Sequence, residues 1–111
     1  MKVLTLNFND KTYTTGKITT FLSKEALKIQ KEALLIGKRG LGIQNERENL
    51  DEVDELLSAL LEIREQKTWL LCEIYGNKFT AEEVEKALDD EEIDDQINAI
   101  ILGIGRVISK N

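Results

Sequence analysis

The sequence predicts an α+β domain, mostly helical, in which an N-terminal β-hairpin is followed by about four helices. Residues 2–8 alternate, with Leu4, Leu6 and Phe8 on one side and Val3, Thr5 and Asn7 on the other. That is the period of a half-buried strand. From residue 19 onward the apolar residues recur at helical spacing instead. The chain contains no proline, so each helix is expected to run until a glycine or a cap stops it. With 111 residues, 41% of them hydrophobic, a single domain over 1–111 can bury one core.

The elements follow in order. Asn9-Asp10 is a turn signal, and Lys11-Thr-Tyr-Thr-Thr15 is β-branched and aromatic, so residues 1–16 read as a hairpin closed by Gly16. A lone hairpin is marginal in water and must pack on helices or pair with another chain. Thr19 or Thr20 then caps a helix over 19–36. Its face is Leu22, Ala26, Ile29, Ala33 and Ile36, widened by Leu27, Leu34 and Leu35. Gly37-Lys-Arg-Gly-Leu-Gly42 contains three glycines, which weigh against helix, so 37–49 is expected to be loop. Asn49 with Glu52 reads as a capping box opening a long helix over 50–75. Gly76 supplies its stop. Thr80 with Glu83 is a second box, opening a short helix over 81–88. Asp89 with Glu92 is a third, opening a last helix to about residue 108, so 80–108 is expected to hold the C-terminal helices.

Charge is unevenly placed. Residues 1–40 carry eight basic and three acidic side chains, a net charge of +5, and residues 41–111 carry seven basic and 18 acidic, a net −11. Such a chain can pair its ends within itself or with the next copy. The overall charge of −6 argues against a nucleic-acid binder, although a DNA mimic stays open. No histidine is present, which removes the most usual general base and neutral metal ligand. Cys72, the one cysteine, lies between Leu71 and Ile74 and reads as a buried structural thiol. The run Asp89–Asp95 lacks the glycine and downstream glutamate of a calcium loop and reads as a helix start favoured by the dipole. Gly37-x-x-Gly40-x-Gly42 lacks the flanking strand and helix of a dinucleotide loop. No catalytic residue, cofactor or metal is therefore expected. No signal peptide or membrane span is read, so the protein is expected to be intracellular.

One binding surface stands out. Residues Ile97–Ile108 of the expected last helix are apolar on nearly all sides. They are either a central core helix or a sticky surface for another protein or another copy, with Ile101, Ile104 and Ile108 as the candidate contact residues. Trp69 and Tyr75 can be core or interface anchors.

Two stretches carry a family resemblance: Lys11-Thr-Tyr-Thr-Thr15, and Tyr75-Gly-Asn-Lys-Phe-Thr80-Ala-Glu-Glu-Val-Glu-Lys-Ala-Leu88. Together they resemble the small tail assembly chaperones of long-tailed bacteriophages and prophages, the type encoded just before the tape measure protein. Most of the chain matches in order and length, while the segment Gly37–Asn49 departs from the pattern. The resemblance implies a non-catalytic protein of the host bacterial cytoplasm, absent from the mature virion. It would coat the long, helix-rich tape measure protein until the tail tube protein polymerises around it. Tyr75, Gly76, Asn77, Phe79, Thr80, Val84 and Leu88 become family-typical scaffold positions. Self-association into a homo-oligomer is expected from the charge split and the apolar last helix. The alternative reading is a small acidic phage regulatory or anti-host module that binds protein.

Overall fold

The computed structural model describes residues 4–45, 50–102 and 106–109. Strand β1 (Leu4–Phe8) and strand β2 (Lys11–Thr14) form an antiparallel hairpin in which Phe8 pairs with Lys11. Asn9 and Asp10 have φ of 52° and 60°, the left-handed pair that a two-residue type I′ turn requires. Leu4, Leu6 and Phe8 are buried on one face of β1, and Tyr13 on β2 joins them. Thr15 closes the open end: its backbone N–H donates to the Leu4 carbonyl at 3.0 Å, and its hydroxyl accepts from the Leu4 N–H at 3.0 Å.

Four helices follow: α1 (Thr20–Asn45), α2 (Leu50–Ile74), α3 (Ala81–Ala87) and α4 (Asp90–Leu102). The α+β layout is as expected, but two boundaries differ. Helix α1 does not stop at residue 36; it continues through the three glycines of the expected loop to Asn45. Each glycine costs about 1 kcal/mol in helix, but tertiary packing outweighs propensity here. Ile36 is buried, Gly37 and Gly40 keep helical backbone, and α1 lies along α2. A Cβ on Gly40 would sit 3.8 Å from the Leu56 side chain, an ordinary contact, so the close approach of the helices does not demand glycine there.

The second correction is at the C-terminal end. Helix α4 ends at Leu102, and Arg106–Ser109 is a strand, β3. It pairs parallel to β1, with Leu4 opposite Arg106 and Leu6 opposite Ile108, giving the strand order β2-β1-β3. The N-terminal hairpin is therefore part of a three-stranded sheet, and β1 is its central strand. The edge of β1 that the sequence left open for a partner chain is occupied by β3.

The helix ends follow local chemistry. Gly76 (φ +73°) and Asn77 (φ 57°) are left-handed. The Gly76 N–H donates to the Glu73 carbonyl at 3.1 Å, and the Asn77 N–H to the Cys72 carbonyl at 2.7 Å. These are the two bonds of a Schellman stop. Thr80 and Glu83 form the expected capping box for α3. Asp89 and Glu92 exchange the same pair of bonds at the start of α4. Thr19 caps α1 by accepting from the Leu22 N–H. Asn49, the proposed cap of α2, lies outside the described residues.

The core lies where the sheet meets the C-terminal half of α2 with α3, α4 and the Ala26–Ile29 stretch of α1. Phe79 stands at its centre, with its ring 5.3 Å from Phe8, 4.9 Å from Tyr13 and 5.4 Å from Tyr75. Every residue of α2 before Ile63 is exposed or half-buried, whereas Leu70, Leu71, Cys72 and Ile74 are buried. The second half of α1 and the first half of α2 thus form a two-helix arm on a molecule measuring 48 × 28 × 18 Å.

Candidate protein-binding surface

The scaffold positions come together at one corner. Tyr75, Phe79, Val84 and Leu88 are buried, while Gly76, Asn77 and Thr80 make the stop and the cap between α2 and α3. The Tyr75 hydroxyl donates to Gln96 Oε1 at 2.7 Å, and both side chains are buried. Gln96 Nε2 has no hydrogen-bond partner among the described residues. Burial pushes the Tyr75 phenol well above its ordinary value of 10.0. Cys72 is a buried free thiol, raised above 9.0 by burial and then by the carboxylates of Glu73, Glu85 and Glu83. A raised thiol at a buried position suits packing and opposes nucleophilic use.

Of the candidate contact residues, Ile101 and Ile108 lie on different elements, α4 and β3. Ile101 is half-buried and packs against the core. Ile104 lies outside the described residues. Ile108 belongs to β3, paired with Leu6, instead of a helix face. Helix α4 is mainly a core helix, since Ile93, Ile97, Ala99 and Ile100 are buried; of its apolar residues only Leu102 is well exposed.

The acidic run is partly neutralised. Asp90 lies 3.0 Å from Arg64, and Asp94 lies 2.6 Å from the half-buried Lys67. These pairs tie the first turns of α4 to α2. Among the described residues no cluster of His, Cys, Asp or Glu is suited to hold a metal ion, and no helix is long and apolar enough to cross a membrane.

Among the described residues much of the exposed apolar surface is on α1 and α2, with Phe21, Trp69 and Leu102 exposed outside the arm. Leu27, Leu34 and Leu35 on α1 and Leu50, Leu57 and Leu61 on α2 are all exposed, Leu50 by 77%. Between the helices runs a groove of about 760 Å³. Its floor is Ala33, Ile36 and Gly40 from α1 with Val53, Leu56 and Leu60 from α2, and the first turns of α4 close one end. Two helices packed side by side can bury only one stripe each, so a leucine outside that stripe stays in water. The signal was present in the sequence: both helices carry more leucine than one seam needs. The sequence places Leu27, Leu34 and Leu35 on a widened face of the first helix, and all three are exposed. Comparison with protein-family models, curated proteins and solved structures finds no match for this chain.

Proposed function

We propose that this chain is a tail assembly chaperone that binds the tape measure protein and keeps it soluble until the tail tube protein polymerises around it. The observation that carries the reading is the leucine-rich arm. A holdase must offer apolar surface to its client and still stay dispersed alone. Here six exposed leucines lie on α1 and α2, in a chain of net charge −6. The scaffold residues 75–88, on which the family resemblance rests, build the corner that holds this arm to the sheet. The proposed client is helix-rich and would meet the arm as an amphipathic helix meets a groove. The chaperone would act in the cytoplasm of the bacterial host and leave before the virion is complete.

Co-expression tests this. The wild-type chain is expected to keep the tape measure protein in the soluble fraction. The triple variant Leu34→Asp/Leu57→Asp/Leu61→Asp is expected to lose that effect while keeping its circular dichroism spectrum, since all three side chains are exposed. Equal rescue by the folded triple variant would overturn the assignment of the client to the arm. Failure of the wild type to rescue would overturn the chaperone reading itself.

A further inference from the structure

The groove between α1 and α2 has a chemistry more specific than exposed leucine. Helix α4 packs against both α1 and α2, and its residues Asp90, Ile93 and Asp94 line the end of the groove. The groove therefore prolongs a track that the fold already fills with a helix. The α2 residues that line it run from Val53 to Thr68, about 22 Å of helix at the usual rise. That length suits a partner helix of about four turns.

Charge decides which helix. Four acidic and two basic side chains line the groove: Glu65, Glu85, Asp90 and Asp94 against Arg64 and Lys67. Both bases are already committed, Arg64 to Asp90 and Lys67 to Asp94. Glu65 and Glu85 have no ion-pair partner among the described residues. They leave the α2–α3 side of the groove negative, while its α1 wall of Ala33, Ile36, Gly37 and Gly40 is uncharged.

We propose that this groove binds one amphipathic helix of the client, with an apolar face against Ile36, Leu56 and Leu60 and basic residues along the flank that meets Glu65 and Glu85. This deepens the client-binding reading above and rests on it for the identity of the natural partner. Gly37 has a clear role in the test. It lines the groove, and a Cβ placed there meets nothing within 4 Å. A tryptophan at this position would add bulk at the groove wall without a clash at its base.

The probe is a fluorescein-labelled amphipathic peptide of about 16 residues, with a leucine face and lysines on one flank. Its counterpart carries glutamates in place of the lysines. Fluorescence anisotropy with the full chain is expected to show the lysine peptide binding at least about tenfold tighter, with the advantage shrinking as salt rises. Gly37→Trp should weaken the lysine peptide by about tenfold or more, and Gly37→Ala should leave it unchanged. The double variant Glu65→Gln/Glu85→Gln should bring the two peptides together.

Equal binding of both peptides by the wild type would overturn the charge chemistry. Unchanged binding by a Gly37→Trp variant with wild-type circular dichroism would overturn the groove. A wild-type dimer in sedimentation that Gly37→Trp converts to a monomer would give the groove to a second copy instead. Co-expression separates this proposal from the chaperone reading. If the peptides behave as expected and the tape measure protein stays insoluble, the groove stands and the chaperone identity falls. If Gly37→Trp rescues the tape measure protein as well as wild type, the chaperone identity stands and the groove falls.

Discussion

Tyr75 and Gln96 show how a single hydrogen bond is placed at high stakes. Both are buried, and the hydroxyl donates to Oε1 at 2.7 Å. Tyr75→Phe removes the donor and leaves a buried acceptor, which is expected to cost about 1–3 kcal/mol. Removing both polar ends in Tyr75→Phe/Gln96→Leu should recover most of that loss, because no unsatisfied oxygen remains. Denaturant unfolding of the two single variants and the double variant checks this; additive costs would mean that the pair does not act as a unit. The same tyrosine sets an alkaline limit. Its folded value is raised by burial, so above pH 10 the unfolded chain releases the proton while the folded chain keeps it. Stability from this group is complete below about pH 10 and falls as pH rises further, by up to about 1.4 kcal/mol per pH unit. The slope should be shallower in Tyr75→Phe. Cys72, also raised, adds a loss in the same direction beginning near its ordinary value of 9.0.

At the scale of elements, glycine has opposite meanings at two places. Gly76 ends α2 with φ +73°, so Gly76→Ala forces an L side chain into left-handed backbone and should cost about 1–2 kcal/mol. Gly37 sits inside α1 in open space, so Gly37→Ala should stabilise by about 0.4–1 kcal/mol. Thermal unfolding should move the two variants in opposite directions. This contrast also explains what the sequence could and could not reveal. Stops and caps are local, and Gly76, Thr80 with Glu83, and Asp89 with Glu92 were readable because each motif satisfies its own backbone groups. The hairpin was readable because Leu4, Leu6 and Phe8 alternate. The course of 37–45 was not, because its three glycines argue locally against helix and no local motif announces that α1 will run on beside the next helix, α2. Strand β3 was missed for a related reason. Gly103 and Gly105 followed by the β-branched pair Val107-Ile108 are a strand signal, but four residues are too few to separate from the preceding helix without knowing that β1 had a vacant edge. Ile108, expected on the last helix, lies in β3 for the same reason.

At the scale of the whole molecule, stability and binding surface are distributed along α2 in opposite senses. Its last turns are locked into the core by Leu70, Leu71 and Ile74, and its first turns bury nothing fully and expose Leu50, Leu57 and Leu61. The ion pair that links the arm helices, Arg39 with Glu55 at 3.7 Å, has both side chains about half exposed or more and adds little in water. Among the described residues, opening the arm therefore breaks few fully buried contacts, whereas opening the base dismantles the aromatic cluster around Phe79. Amides of residues 54–61 are expected to exchange with solvent at least about a hundredfold faster than those of residues 70–74, because local opening draws on the low-stability end of the fold. Native-state hydrogen exchange resolved by residue checks this, and the contrast should shrink when an amphipathic helix occupies the groove. Uniform protection along α2 in the isolated chain would show that something already covers the arm, and dilution would then identify it: protection that falls with protein concentration marks a second copy, and protection that does not marks a packing within the chain that the exposed leucines do not reveal.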